Sequence, residues 1–323
     1  MSPMHRAPVA LVCVIGVVVA VTMLGAATPS RGVAEVSPTL PAATAEVSPV
    51  PQEPSPSPLP THTPIPPTAT LARREFNESA AMKVAPTSFL PGRGPQLPGE
   101  FVYAGRRLDF FVGRGTFSAD EVAEMAIKAE HALSYIQRRF AATLSERVSV
   151  GVYSASLAPG PGTRGIAYTY GATNVRIYYR PGEDKHAALV ILVHELAHAL
   201  QADAYGKIPQ SRVDTILLEG LACWIAGEYW LSLSEVNSFQ ERARQLYQAG
   251  YRGNLATMGY GGLDTAYDMW AGFVDYLART YGWDRFNLLY TTGRGRAPGS
   301  ADYQGIYGKS LSELQREWYA TLR

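Results

Sequence analysis

The feature that most constrains this chain is an apolar stretch carrying two histidines and a glutamate at helical spacing. Residues 189–205 read LVILVHELAHALQADAY, which includes His-Glu-Leu-Ala-His. On an α-helix, positions i and i+4 lie on one face, so His194 and His198 can direct two imidazoles at one metal ion. Glu195 lies beside that face, where it can hold a water molecule. These are the groups that a zinc hydrolase requires.

The alternative is a pair of core histidines that are satisfied by hydrogen bonds. Two buried histidines and a buried glutamate on one helix would be costly without a polar partner for each. The residues around the motif favour a helix that crosses the core, because 187–193 are all apolar and Leu196 and Ala197 are helix formers. The metal interpretation is therefore preferred.

A second helical segment supplies a candidate third ligand. Residues 214–230, DTILLEGLACWIAGEYW, are mostly apolar, and Glu219 is the only charged residue between Asp214 and Glu228. A lone carboxylate in such a helix is costly unless it is paired or bound to metal. We therefore expect Glu219 to complete the metal site.

The connection between the two helices holds the rival ligands. The residues after His198 leave room for a turn at Gly206 and Pro209 and for a return helix packed on the first. Asp203 falls on a different face of the first helix. Asp214 stands at the start of the second helix, where an N-cap role is expected.

These motifs resemble the gluzincin metallopeptidases and, more narrowly, the bacterial peptidase MA-like families. HELAH followed by a glutamate on the next helix is the gluzincin pattern, and residues 217–222 resemble the motif L-x-E-G-x-A. Residues 267–277, YDMWAGFVDYL, are similar to the segment of gluzincin aminopeptidases that starts with the catalytic tyrosine, here Tyr267. Residues 307–322 look like the closing segment of the MA-like families. The resemblance covers roughly residues 100–323.

The resemblance implies a fold, a metal and a reaction. The fold would be α+β and zincin-like: a small mixed or antiparallel sheet subdomain, then a mainly helical subdomain, with the active-site helix between them. His194, His198 and Glu219 would hold Zn²⁺. Glu195 would act as general base, and Tyr267 would stabilise the oxyanion. The substrate would be a peptide or protein.

Two departures from the family pattern matter. Some gluzincins place an acidic residue four positions after the ligand glutamate, where it braces a metal-bound histidine. Cys223 occupies that position here and is a poor brace. Residues 170–174, Tyr-Gly-Ala-Thr-Asn, are similar to the Gly-Ala-Met-Glu-Asn element of gluzincin aminopeptidases but lack its glutamate. Aminopeptidase specificity is therefore not expected.

A strand is predicted just before the metal helix. Residues 174–180, NVRIYYR, alternate so that Val175, Ile177 and Tyr179 face one way. Gluzincin-like sites bind extended substrate along an edge strand, so we expect the free edge of this strand to pair with substrate backbone. The alternative is an ordinary hairpin strand without substrate contact.

The remaining elements follow from local patterns. Residues 101–113 and 147–156 read as strands. Between them, Ser118 and Glu121 form a capping-box pattern for a helix that runs through about Ala142. Further helices are predicted at about 184–204, 214–230, 234–249, 264–281, 284–291 and 309–322.

The amino-terminal region differs from the rest of the chain. Its first 75 residues contain no Phe, Trp or Tyr, so they cannot supply much of a core. The uncharged residues 7–27 can just span a bilayer or serve as a long signal peptide that is cleaved after a small-residue site at 25–27. An uncleaved anchor is slightly favoured. Both interpretations export the protein, either anchored at the cell surface or secreted.

The predicted organisation has three parts. Residues 1–28 form the transmembrane anchor or signal peptide, and residues 29–75 form a Pro/Ser/Thr-rich disordered linker. Residues 76–323 form the catalytic domain. With 29 Lys and Arg against 28 Asp and Glu, the chain lacks the basic excess that a nucleic-acid partner would require. The predicted partners are a membrane, through the first segment, and the substrate. The oligomeric state is left open.

Two other functions compete with a peptidase. One is a surface protein that binds metal without catalysis. The intact Glu195 argues against it, because a structural zinc site would have a fourth protein ligand and no general base. The other is a zinc amidohydrolase that acts on a non-peptide amide such as cell-wall material. The attacking group is the same in both hydrolases, so the sequence does not separate them.

Overall fold

The computed structural model describes residues 88–261 and 263–323, with the side chains of residues 260–264 left aside. These residues belong to one compact unit. The predicted anchor or signal at 1–28 and the predicted linker at 29–75 lie outside the described residues, as do residues 76–87 of the predicted catalytic domain.

The five strands lie in the first part of the described chain, with one long helix between the second and third strands, and the remaining helices follow, which gives a mixed α+β architecture. The strands are β1 (Glu100–Ala104), β2 (Leu108–Val112), β3 (Val148–Ser154), β4 (Gly165–Tyr168) and β5 (Asn174–Tyr179). The helices are α1 (Ala119–Phe140), α2 (Lys185–Tyr205), α3 (Lys207–Arg212), α4 (Thr215–Ala226), α5 (Glu228–Leu231), α6 (Phe239–Gln248), α7 (Leu263–Tyr281), α8 (Trp283–Thr291), α9 (Tyr303–Tyr307) and α10 (Leu311–Thr321).

The five strands form one mixed sheet in the order β1-β2-β3-β5-β4. The pairs β2/β3 and β3/β5 are parallel, whereas β1/β2 and β4/β5 are antiparallel. The central strands β2 and β3 are almost wholly buried, as expected for strands covered on both faces. The sheet of the predicted α+β fold is therefore present and is mixed.

The prediction that residues 174–180 form an edge strand is wrong. They form β5, which pairs with β3 on one side and with β4 on the other, so both of its edges are occupied. The strand that ends the sheet is β4, which was not predicted from the sequence. Its four residues are too few to show a clear alternation.

Successive side chains of β5 point to opposite faces of the sheet, and each face packs into its own apolar cluster. Val175, Ile177 and Tyr179 face the main core between sheet and helices, as predicted. Tyr178 faces the other side, where it packs with Tyr153 and Ile166 in a small cluster. The main core face of β5 and β4 contacts α2, so the sheet supports the metal-motif helix.

Helix α1 begins as its sequence predicts. The Ser118 side chain accepts from the Glu121 backbone N–H, and the Glu121 carboxylate accepts from the Ser118 backbone N–H, which completes the capping box. The helix ends at Phe140, and Ala141 adopts a left-handed conformation with φ 49°. Helix α1 packs against both the sheet and α2.

Helix α2 lies in the interior of the unit. Every residue from Ala187 to Ala202 is buried. Among the described residues, α2 has the length and apolar character to cross a membrane, as does the bent pair Thr215–Ala226 and Glu228–Gln248 if taken as one span. The apolar window of α2 is 89% buried inside the protein, which is typical of a core helix.

Helix α4 packs against α2 on one side and very closely against α7 on the other. A Cβ at Gly220 would lie 2.6 Å from the Trp270 carbonyl oxygen, so only glycine allows this approach. The single helix predicted over 214–230 is interrupted at Gly227, where φ is 57° and a Cβ would meet the Tyr135 hydroxyl. Gly227 therefore separates α4 from α5.

Other differences between the predicted and observed helices arise from capping and proline residues. The turn predicted at Gly206 and Pro209 contains the short helix α3, with Pro209 at its third position, where a missing N–H costs little. Helix α6 begins only at Phe239, because Ser238 caps it. The last helix, α10, begins with a capping box formed by Ser310 and Glu313.

Candidate metal centre

Three buried side chains from two helices converge on one point. Helix α2 places the rings of His194 and His198 with centroids 4.8 Å apart and planes at 90°. Helix α4 brings Glu219, whose Oε2 lies 3.3 Å from His194 Nε2 and 3.2 Å from His198 Nε2. The structure thus assembles the three ligands that the sequence predicts into a group that could bind a metal ion.

The converging atoms lack other partners. His194 Nε2, His198 Nε2 and Glu219 Oε2 are buried and have no hydrogen-bond partner among the described residues. Leaving one buried polar atom unsatisfied costs about 1–3 kcal/mol, and here three such atoms face one another. A cation placed between them would satisfy all three at once, which is the physical argument for a metal.

Burial and mutual charge shift the pKa values of the three groups in different directions. Burial alone would lower the pKa of His198, but the nearby Glu219 charge outweighs it and raises that pKa, so metal binding at this ring competes with a proton. Burial lowers the pKa of His194 to about 4, which keeps its ring neutral. Burial alone would raise the pKa of Glu219, but the charge of His198 and the ring nitrogens of both histidines, 3.2 and 3.3 Å from Oε2, outweigh it, so the pKa falls well below its ordinary range. A neutral imidazole and an ionised carboxylate are the forms that coordinate metals.

Glu195 projects from helix α2 to the backbone of strand β4 at Gly165. Its two carboxylate oxygens are buried and have no side-chain hydrogen-bond partner among the described residues, and the backbone N–H of Ala167 in β4 acts on the carboxylate as a donor. Burial raises the pKa of Glu195 to about 8 in the metal-free site, and a nearby cation would oppose this shift. Glu195 is therefore poised to exchange a proton near neutral pH.

Strand β4 has room for Glu195 because of one glycine. A Cβ on Gly165 would lie 2.6 Å from Glu195 Oε1 and 2.7 Å from a methyl carbon of Ile191, so any other residue would displace the carboxylate. Gly165 was not predicted as a functional residue from the sequence. The signal that could have identified it, a glycine in a short strand, indicates close approach in general but names no partner.

Gln201 orients His198, a role that the sequence analysis did not assign. His198 Nδ1 lies 2.9 Å from Gln201 Oε1, while Gln201 Nε2 donates to the Leu218 carbonyl at 2.9 Å. Because the amide nitrogen is held by a carbonyl, its oxygen must face His198, so Nδ1 carries the proton. Nε2 is then the ring nitrogen with a free lone pair, directed at Glu219.

The backbone of α2 is braced at the same level. Gln210 Nε2 donates to the His198 carbonyl at 2.6 Å, and Thr169 Oγ1 donates to Gln210 Oε1 at 2.8 Å. These bonds join α3 and the loop after β4 to the metal-motif helix. Gln210 is buried in a helix of six residues that the sequence analysis interpreted as a turn.

His194 has a weaker partner than His198. Cys223 Sγ lies 3.5 Å from His194 Nδ1, so the cysteine does occupy the brace position, one turn after Glu219. A thiol sulfur is a weak hydrogen-bond acceptor. Packing supplements it, because the Trp230 ring lies 5.1 Å from the His194 ring and is itself held by a 2.8 Å hydrogen bond from Nε1 to Asp268 Oδ1.

Tyr267 lies where the family resemblance predicts it, next to the cluster. Its ring centroid is 5.8 Å from that of His194, and the side chain is buried. Burial, and then the Glu219 charge, raise the pKa of Tyr267 well above its ordinary value. The hydroxyl therefore stays protonated and donates to the Glu219 side chain. Its catalytic role stays a prediction.

The rival carboxylates are engaged elsewhere. Asp203 is exposed and accepts hydrogen bonds from the backbone N–H and hydroxyl of Ser145, at 2.8 and 2.7 Å. Asp214 caps α4 by accepting from the Ile216 N–H at 2.9 Å, and it also accepts from the Tyr303 hydroxyl at 3.0 Å. Neither joins the cluster, as predicted.

Comparisons with protein-family models, with curated proteins and with solved structures give no match for this chain. The case for its function therefore depends on the geometry of the centre itself.

Metal binding should stabilise the protein, because it satisfies three buried atoms that are otherwise unpaired. A divalent metal at a hundred times its Kd should add about 2.7 kcal/mol, seen as a higher Tm that a chelator reverses. His194→Ala and Glu219→Ala should abolish this shift, whereas His186→Ala, at an exposed position of the same helix, should retain it. A metal-induced shift of full size in both ligand variants would refute the assignment.

Gln201→Met should weaken metal binding without removing a ligand. The substitution keeps the side-chain length but loses the contacts to His198 and Leu218, so the ring is no longer held in one tautomer. We expect a loss of affinity of about 10- to 100-fold, measured by competition with a chromogenic chelator. The matched control is Gln245→Met on an exposed face of α6. Equal affinity in the two variants would exclude the orienting role.

Proposed function

We propose that the protein is a zinc-dependent metallopeptidase of gluzincin type, with a zincin-like fold. The observation that carries the proposal is the convergence of three unpaired ligand atoms next to a buried glutamate that is not a ligand. A site that only stored or displayed a metal would have no use for Glu195, because burying its carboxylate without a paired charge is costly.

The spacing of the donor atoms supports zinc. Zinc binds nitrogen and carboxylate oxygen at about 2.0–2.2 Å in tetrahedral geometry, which places two ligands about 3.3–3.5 Å apart. The distances of 3.3 and 3.2 Å from Glu219 Oε2 to the two ring nitrogens are close to this value. Two imidazoles with one carboxylate also favour zinc over calcium or magnesium, which take oxygen ligands.

The chain's own residues then divide the work of hydrolysis. A zinc ion held by His194, His198 and Glu219 would supply a Lewis acid that lowers the pKa of water to about 7 and polarises a carbonyl. Glu195 takes a proton from the attacking water and passes it to the leaving nitrogen. Tyr267, which keeps its proton, donates a hydrogen bond to the oxyanion that develops on the substrate.

Strand β4 is the element that would align an extended substrate. The Tyr178 N–H donates to the Arg164 carbonyl at 2.9 Å, and antiparallel pairing alternates, so the N–H and C=O groups of Gly165 and Ala167 point away from β5. A peptide paired with this edge would run past the Glu195 carboxylate. The substrate hypothesis made for residues 174–180 thus applies to β4.

Two alternatives make different predictions. A zinc amidohydrolase for non-peptide amides would use the same residues but would have no need of a strand edge that matches a peptide backbone. A metal-binding surface protein would tolerate loss of Glu195. The β4 edge beside Glu195 favours a peptide. We also propose export and tethering at the cell surface, supported by the uncharged segment 7–27.

The direct test is cleavage of a peptide library by the purified protein, read by mass spectrometry, with Glu195→Gln as the matched control. The variant should bind zinc as the wild type does but lose activity by orders of magnitude, because it removes the base and keeps the ligands. Cleavage by both proteins would exclude Glu195 from the mechanism. Cleavage by neither would favour the non-peptide amide or the metal-binding alternative.

Gly165→Ala should impair hydrolysis and leave zinc binding intact. The added methyl group would displace the Glu195 carboxylate, and a displacement of about 1 Å can reduce the rate about 100-fold. The control is Gly160→Ala in the preceding loop, where a Cβ would meet only Thr163 Oγ1, at 3.4 Å. The expected result is a lower kcat in Gly165→Ala alone. An unchanged kcat would show that the space left by Gly165 is not needed to position the Glu195 carboxylate.

A further inference from the structure

An arginine outside the metal motif is held beside the helix that carries Glu219. Arg296 lies in the segment between α8 and α9, and its carbonyl accepts a hydrogen bond from the Thr215 hydroxyl at the start of α4. The same segment is held again where the Ala301 N–H donates to Asp214 Oδ2 at 3.2 Å. Thr215 and Glu219 are four residues apart, so they lie on one face of α4.

One nitrogen of the half-buried Arg296 guanidinium is withdrawn from water without receiving a partner. Its Nη1 is buried and has no hydrogen-bond acceptor among the described residues. Its neighbour Arg294 is exposed and pairs with Asp302 at 3.6 Å. Burial lowers the pKa of Arg296, while the Glu219 and Tyr290 side chains raise it, so the guanidinium lies within electrostatic reach of both. An unpaired buried donor on a cation is costly.

Tyr290 presents a second unpaired donor in the same surroundings. Its ring stacks on Tyr205 of the metal-motif helix, with centroids 4.0 Å apart. Its hydroxyl is buried and has no partner among the described residues. Arg296 and Glu219 both act on Tyr290, whose pKa is raised well above its ordinary value chiefly by burial. The hydroxyl therefore remains a hydrogen-bond donor.

The balance of charges around the centre leaves room for one bound anion. A divalent cation is balanced by the carboxylates of Glu219 and Glu195, and Arg296 then adds one positive charge that no described carboxylate pairs. A guanidinium binds a carboxylate through two parallel N–H···O bonds, and a neighbouring tyrosine hydroxyl can give a third.

We propose that Arg296 and Tyr290 form a carboxylate-binding subsite beside the metal centre, so that the preferred substrate carries a carboxylate close to the scissile bond. The role of this subsite in substrate recognition rests on the proposed hydrolase function. The binding experiment that tests the subsite does not require catalysis. The carboxylate can be the carboxyl terminus of a peptide or an acidic side chain, and the two sources share the same recognition chemistry.

The test measures binding by calorimetry, with zinc and without it, to the full protein carrying Glu195→Gln, so that no probe is consumed. The probes are N-acetyl-trialanine with a free carboxylate and the same peptide as its amide. A second pair, amide-terminated, contains Glu or Gln at the middle position. Tighter binding of either acid by at least about tenfold is expected, and the pair that shows it identifies the source.

Variants assign the effect to named residues. Arg296→Gln should remove the preference for the acid, Arg296→Lys should retain part of it, and Tyr290→Phe should reduce it several-fold. Arg294→Gln, two residues away and exposed, should leave it unchanged. Thermal unfolding of each variant checks folding, and the Tyr290→Phe result stands by itself if Arg296→Gln does not fold.

The outcomes separate the subsite from the proposed function. Equal affinity for acid and amide in both probe pairs, or a preference that survives Arg296→Gln and Tyr290→Phe, would overturn the subsite. The preference together with no cleavage of any peptide by protein with intact Glu195 would support the subsite and reject the peptidase. Peptide cleavage without a preference for the acid would support the peptidase and reject the subsite.

Discussion

The burial of one carboxylate between two imidazoles governs the rest of this structure. Glu219 is 3% exposed and His194 is not exposed at all, yet their facing atoms have no protein partner among the described residues. An apolar core can hold such a group only if a cation completes it or if the surrounding packing is strong enough to bear the cost. The arrangement of the helices follows from this need: α2 lies in the core, α4 packs against it, and Gly220 lets α7 close over the other side.

The sheet has two roles that come from its two kinds of strand pairing. Its parallel centre, β2, β3 and β5, forms the apolar layer on which α1 and α2 pack. Its antiparallel end, β4, reaches past that layer to Glu195. Gly165 makes this contact possible, because any side chain at this position would separate the strand from the Glu195 carboxylate.

Much of the centre was predictable because helical spacing is local. The i, i+4 histidines and the lone glutamate in an apolar helix are visible from neighbours within a turn or two, and Ser118 and Asp214 are recognisable caps for the same reason. The partners of these residues were not predictable. Gln201 faces His198 only because Leu218 of another helix holds its amide, and Arg296 lies 77 positions beyond Glu219 in a segment without periodicity. Strand order is likewise a long-range property, which is why the prediction of a free edge at residues 174–180 was wrong.

The two histidines are held by neutral groups, an amide at His198 and a thiol at His194. A carboxylate in either place would push electron density through the ring onto a bound cation and tighten its hold. Neutral partners donate less electron density through the ring and tighten metal binding less. A cation bound here would therefore keep more of its own positive charge and dissociate more readily. Such a centre favours electrophilic strength over retention, and its occupancy would follow the free metal concentration outside the cell if the chain is exported.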